Sequence, residues 1–121
     1  MLLRLVSATV ALSFALATVV LADPPTVSIE QRATLILDGV IVRVDVNCGD
    51  GGSSITVLLV GVRQGEFATE SLVEFESTGS RQEISVTVPG AFAPGDARAS
   101  AQLACAGLLS GEQLGAAIKI Q

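Results

Sequence analysis

The sequence predicts an all-β domain, an antiparallel sandwich of seven to eight strands behind an N-terminal leader, and three observations carry that prediction. Val40–Cys48 reads V-I-V-R-V-D-V-N-C, with Val40, Val42, Val44, Val46 and Cys48 at strict two-residue spacing. Ala97–Cys105 repeats the pattern, with Ala97, Ala99, Ala101 and Leu103 in phase with the second of only two cysteines. Successive side chains of a strand point to opposite faces, so each row presents one apolar face and one wetter one. Finally, turn-forming residues recur about every eight to twelve residues, the spacing of a sandwich.

The leader comes first. Arg4 is the only charge before Asp23, Leu5–Leu21 is apolar apart from scattered Ser and Thr, and Val20-Leu21-Ala22 precedes Asp23-Pro24-Pro25. Charge, length and exit site match a secretory signal peptide over residues 1–22, cleaved between Ala22 and Asp23. An uncleaved membrane anchor is the alternative, because the apolar run is about long enough to span a bilayer. No cysteine stands at the exit site, which argues against a lipid anchor. No second apolar stretch of spanning length follows, so the processed chain is expected to be soluble and secreted or periplasmic.

Cleavage leaves residues 23–121, which are 99 residues, and loss of Arg4 moves the net charge from −5 to −6. Scattered single cations on an acidic chain give no footprint for nucleic acid or anionic lipid. Ninety-nine residues close one small core. With no Trp or Tyr and four Phe, one of them in the leader, that core must be built from Val, Ile, Leu and Ala.

Along the rest of the chain, Thr26–Gln31 alternates as an edge strand with Val27 and Ile29 in phase. Ala33–Leu37 continues it after a bend at Gln31-Arg32. Asp38-Gly39 is a tight-turn signal. Val40–Cys48 is followed by the loop Gly49-Asp50-Gly51-Gly52-Ser53, then by Ile55–Val62. Arg63–Glu66 turns into Glu70–Glu76, where Leu72, Glu74 and Glu76 oppose Ser71, Val73 and Phe75. After Gly79, Gln82–Val88 places Ile84, Val86 and Val88 in phase. Pro89–Gly95 is a loop, Ala97–Cys105 the next strand, Gly107–Gly111 a loop, and Leu114–Ile120 closes with Leu114, Ala116, Ile118 and Ile120 in phase. Ala91–Ala106 is rich in alanine, but Pro94-Gly95 and strict alternation favour strand over helix.

Three strands separate the two cysteine rows. If each connection reverses direction, the rows run parallel and both cysteines sit at the same end. An even cysteine count, export and in-phase burial predict a Cys48–Cys105 disulfide across 57 residues.

Together these features resemble the immunoglobulin-like sandwich domains that bacteria secrete, small and uncharacterised. The resemblance covers Val27–Gln121: Val40–Cys48 as the first bridged strand, Ala97–Cys105 as the sixth, and the phrase Phe92-Ala-Pro-Gly-Asp-Ala-Arg-Ala-Ser-Ala-Gln-Leu-Ala-Cys105. It implies an immunoglobulin-like antiparallel β-sandwich over residues 23–121 acting as a non-catalytic binding or structural module. Leu114–Ile120 is also similar to the closing strand of neocarzinostatin-like chromophore carriers, which are small acidic exported sandwiches. That second resemblance implies a small-molecule carrier.

The chemistry the residues exclude is extensive. There is no His, so nucleophile–base pairs of the Ser-His or Cys-His kind are ruled out. Zinc and copper sites of the usual kind lack ligands if the cysteines pair. Glu70, Glu74, Glu76 and Glu83 on neighbouring strands offer paired carboxylates, but glycosidases also need clefts, usually with aromatic platforms, and a solvated acidic face is the better reading. Asp45-Val-Asn47-Cys-Gly-Asp50-Gly looks like a calcium loop, yet Gly49 stands where an oxygen ligand is needed, and a turn is the default. No enzyme, cofactor or metal is therefore expected.

One strand breaks the pattern. In Ile55–Val62, Thr56, Leu58, Val60 and Val62 form one row, while Ile55, Val57 and Leu59 form the other, and both rows are largely apolar. Strands apolar on both faces are normally covered on both. Either a loop such as Pro89–Gly95 folds over the outer row, or that row is an exposed patch that meets a protein partner or a second copy of the chain. The sequence does not say which row faces out.

Overall fold

The computed structural model describes residues 25–49 and 55–121. The expected leader and its Ala22–Asp23 cleavage site lie outside these residues, as does most of the loop after Gly49. Eight strands make up the rest: β1 (Thr26–Ile29), β2 (Arg32–Ile36), β3 (Gly39–Asn47), β4 (Ile55–Gln64), β5 (Phe67–Glu76), β6 (Gln82–Pro89), β7 (Gly95–Cys105) and β8 (Leu108–Ile120). The described residues are all-β. Alternation, not alanine content, decides Gly95–Cys105: a helix would scatter its buried row around the axis, and a strand gathers it on one face.

The strands hydrogen-bond in one open path, β1-β3-β2-β8-β7-β4-β5, with β6 on β3. Both β1 and β2 lie along β3, the first pairing Thr26–Ile29 with Asn47–Val44 and the second pairing Thr34–Ile36 with Ile41–Gly39. At the bend at Gln31 the chain turns toward β8, and β2 pairs with it in parallel, Arg32 with Lys119 and Ala33 with Ile120. Backbone bonds from Lys119 N to Gln31 O (2.8 Å) and from Leu35 N to Gln121 O (2.9 Å) extend this join. All other pairings are antiparallel.

The buried rows are the ones the alternation predicts. Val40, Val42 and Val44 of β3 face the same way as their ladder partners Val88, Val86 and Ile84 of β6. Leu58, Val60 and Val62 of β4 do so with Leu103, Ala101 and Ala99 of β7. All of these belong to one cluster, with Ile84 packed at its margin. Small alanines on β7 opposite larger residues on β4 let an aliphatic core close without aromatic bulk.

The disulfide forms as expected, Cys48 to Cys105, with Cα atoms 5.9 Å apart. It ties the end of β3 to the end of β7, two strands that share no hydrogen-bonded ladder. Next to it, Thr56 is fully buried on β4, and its hydroxyl lies 3.6 Å from the Cys48 sulfur.

Three expectations need correction. Gly107–Gly111 is not a loop: the chain reverses at Ala106-Gly107, both at positive φ (54° and 82°), and β8 begins at Leu108. Two central residues at positive φ make a primed hairpin turn whose twist suits the flanking strands.

Leu114 does not share the buried row with Ile118 and Ile120 but is exposed. The ladder slips between Ala99–Ala116 and Ala101–Gln113, so two residues of β8 oppose Ser100 alone. Gly115 takes φ 64° there and donates its N–H to Ser100 Oγ (3.0 Å), as in a β-bulge with glycine in the left-handed region. One extra residue reverses the alternation, turning Leu114 outward.

The Pro89–Gly95 loop does not cover the outer row of β4. Phe92 is buried in the core and meets Phe67 edge-to-face, ring centroids 5.2 Å apart. Ala93 is clamped by the Gln64 amide through two hydrogen bonds of 2.8 and 2.9 Å. The loop thus plugs one end of the core. Gly39 is equally constrained, since a Cβ there would collide with the Val88 carbonyl across the β3–β6 ladder. Gly39→Ala is expected to cost about 2 kcal/mol, read as a lowered denaturant midpoint.

Candidate functional site

Of the strand singled out from the sequence, Thr56, Leu58, Val60 and Val62 point into the core, and Leu59 points out with Ile55 and Val57. β4 runs between β5 and β7, so its outward side chains stand in the middle of a broad face. Ladder register names the neighbours. Leu59 stands beside Leu72 on one side and Gln102 on the other. Val57 stands beside Glu74 and Ala104, and Ala104 in turn beside Leu109. The bulge adds Leu114, which borders a small hollow together with Leu59, Ser100 and Gln102.

The face is apolar at its centre and open to water. Leu59 and Val57 are half-buried by their flanking strands, while Leu72 is 59% exposed, Leu114 61% and Leu109 64%. Single exposed apolar residues are ordinary, but a contiguous group on one sheet face is informative.

Charge on this face is mixed. Glu70 projects from β5 beside Gly61, Glu112 from β8 beside Gln102, and Glu74 and Glu76 from β5 beside Val57 and Ile55. At the other end of β4, Arg63 stands directly opposite Arg98 of β7. Like charges directly opposite one another repel, and among the described residues neither arginine has a carboxylate within salt-bridge distance, although Glu70 lines the same hollow as both. Arg98 donates to the Gly115 carbonyl (3.0 Å). Elsewhere Arg43 pairs with Glu30, Arg81 with Asp45 and Lys119 with Asp96. Beside the arginines lies an open hollow of about 630 Å³ bordered by Gly61, Ala68, Glu70, Ser100 and Gly115. Small residues make it: Gly61 and Ser100 leave room between larger neighbours.

The other candidates from the sequence fall elsewhere. Glu70, Glu74 and Glu76 line β5, but Glu83 lies on β6 opposite Asp45, in a different ladder. Asp45 Oδ2 accepts from Arg81 Nη2 at 2.8 Å. That hydrogen bond, with the charge of the same carboxylate, raises the Arg81 pKa above the ordinary arginine value. Asn47 Oδ1 accepts from Gly49 N at 2.7 Å, a turn-forming contact. Asp50 lies outside the described residues, and among those described no group of three or more His, Cys, Asp or Glu is placed to hold a metal.

The Arg63–Arg98 pair and the outward Leu114 were not legible in the sequence. The first depends on the register between β4 and β7, the second on a one-residue bulge, and neither leaves a periodic signal. No family model, curated protein or solved structure matches this chain.

Proposed function

We propose that the protein is an exported, non-catalytic binding module with an immunoglobulin-like β-sandwich architecture, making protein–protein contact through the outer face of β8-β7-β4-β5. The architecture is supported by the division of the strands. β1, β3 and β6 form one set and β8, β7, β4 and β5 the other, with β2 passing between them and the disulfide joining the two. Export is supported by the leader pattern and by a disulfide, which persists in oxidising compartments. The contact surface rests on one observation: Leu59, Leu72 and Leu114 lie together and uncovered at the centre of a sheet face. Small-molecule carriage of the neocarzinostatin-like type is the alternative. Among the described residues the hollow beside Arg63 is lined by no aromatic ring, which favours protein contact.

Two measurements test this reading. Intact mass of protein recovered from outside the cell should correspond to Asp23–Gln121; a full-length, membrane-retained product would overturn export. Leu59→Glu should leave the circular dichroism spectrum and melting temperature nearly unchanged, because the side chain points to solvent. The same change should cut capture of the partner from culture supernatant by at least about tenfold, the ordinary effect of a charge placed in an apolar contact centre. Equal capture by both forms would refute the contact surface.

A further inference from the structure

We infer, on the reading of this face as a contact surface, that the hollow beside Arg63 and Arg98 takes the C-terminal end of a partner chain whose last residue is aliphatic. Its carboxylate would meet the two arginines and its side chain Leu59 and Leu114. Two hollows on this face are continuous. The one beside the arginines and the smaller one beside Leu59 share Gly61, Glu70 and Ser100, and together they form a trough across β4 and β7. Gly61 and Ser100 are ladder partners and make its floor, because neither carries a large side chain. Glu70 stands beside Gly61 on the β5 side, and the bulge with Gly115 and Leu114 bounds the β8 side.

Chemistry along the trough is ordered. Arg63 and Arg98 stand together at one end, and among the described residues neither is in a salt bridge. The Arg98 head already leans over the floor, where Nη1 donates to the Gly115 carbonyl (3.0 Å). A guanidinium has five N–H groups, so the others are left for a ligand. Leu59 and Leu114 make the opposite end apolar. Glu70, between the two ends, is an acceptor. Donors, acceptor and apolar end match one residue at a chain terminus: its carboxylate, the amide N–H beside it, and an aliphatic side chain. Gly61 lies two residues from Leu59 along β4, about 7 Å at strand rise. That is close to the length of a leucine residue from carboxylate to methyl groups.

Glu70 disfavours a fatty acid, which would bring a bare charge beside that carboxylate and no donor for it; a peptide end brings an N–H. The open position disfavours a free amino acid. Small-molecule sites bury most of their ligand, whereas Arg63, Glu70 and Arg98 are all exposed on a sheet face. The remaining contact area must come from the chain to which the terminus belongs, seated on the leucine centre. Capture of a terminal carboxylate is a recurring mode of peptide recognition.

The probe is the acetylated peptide Ala-Ala-Ala-Leu with a free carboxylate, titrated by amide NMR into protein produced from the full coding sequence with the disulfide intact. Binding should saturate below millimolar peptide, with shifts centred on Gly61, Ser100 and Gly115. The same peptide with an amidated C-terminus should bind at least about tenfold more weakly, as should Arg63→Gln/Arg98→Gln protein, because hydrogen bonds to charged groups are the strong ones. Because Arg98 also holds the Gly115 carbonyl, Arg63→Gln alone is measured alongside, and all variants are checked for fold by circular dichroism. Gly61→Val fills the floor and leaves every charge in place. A Cβ at Gly61 meets Thr69 O at 3.7 Å and Glu70 Cβ at 3.8 Å, ordinary contact distances, so the fold should hold while peptide binding is lost. No binding at millimolar peptide overturns the inference, as does equal binding of the amidated form or normal binding by Gly61→Val. Free leucine or octanoate binding as tightly as the peptide also overturns it and assigns the trough to a small molecule. If the peptide fails to bind yet Leu59→Glu abolishes capture of a foreign partner, the terminus is wrong and the contact face stands. If Leu59→Glu changes nothing either, both fall together.

Discussion

Leu58→Glu is expected to leave the domain unfolded at neutral pH. Leu58 is fully buried on β4 between Val73 of β5 and Leu103 of β7. Removing the leucine costs about 3 kcal/mol in lost transfer energy and packing. The carboxyl then has no partner: the only buried polar side chains among the described residues are Thr56 and Ser77. To enter the core it must be neutral, and holding a glutamate of ordinary pKa near 4.3 protonated at pH 7 costs about 3.7 kcal/mol more. The sum, near 7 kcal/mol, matches the whole stability of a small domain. The sign of the pH dependence follows. The folded-state pKa of this carboxyl is raised, so the penalty is present above the unfolded value and fades as pH falls below about 4. A folded fraction that returns on acidification, followed by circular dichroism, is the expected signature. Leu59→Glu, one residue away, should show neither the loss nor the recovery. If both variants unfold, the outer row of β4 is covered within a single chain.

Replacing Cys48 and Cys105 with alanine should lower stability by about 4 kcal/mol, the chain-entropy value for a closed loop of this size. The bridge spans 57 residues in sequence. Its position makes the effect more than an entropic one on paper. β3 and β7 share no ladder, and along the hydrogen-bonded path they are connected only through β2 and β8. The β2–β8 ladder is short, pairing only Arg32 with Lys119 and Ala33 with Ile120. Without the disulfide, cohesion between the two strand sets rests on core packing of valine, leucine and alanine, on that short join, and on side-chain hydrogen bonds such as Ile29 N to Gln113 Oε1 and Thr69 Oγ1 to Pro89 O. A 4 kcal/mol loss corresponds to a melting temperature lower by about 20 °C for a domain of this length. Thermal melts with and without reductant, compared with the double alanine variant, measure it. Titration of the unfolded, unreduced protein should find no free thiol. Unchanged melting after complete reduction would remove the bridge from the energetics of this fold.

The disulfide effect rests on features legible in the chain alone, whereas the Leu58→Glu effect also needs the tertiary structure. Strict alternation in Val40–Cys48 and Ala97–Cys105 determined which side chains are buried, because a strand has only two faces and water sorts them. The same periodicity put both cysteines beside the core, and an odd number of intervening strands put them at one end. Ile55–Val62 announced itself as unusual because both of its rows are apolar. What only the tertiary structure decided is what depends on register and on slips of a single residue. Which row of β4 faces inward is set by its neighbours, since Leu58 and Leu59 are chemically alike. The place of Leu114 is set by a bulge at Gly115, which reverses an alternation that looks unbroken in the sequence. Arg63 and Arg98 are 35 positions apart in the chain and adjacent only in the ladder. Alternation is a local property that side chains display along one strand; the pairing of distant strands is chosen by the packing of the whole core, and it is that pairing which assembled the leucine-centred face.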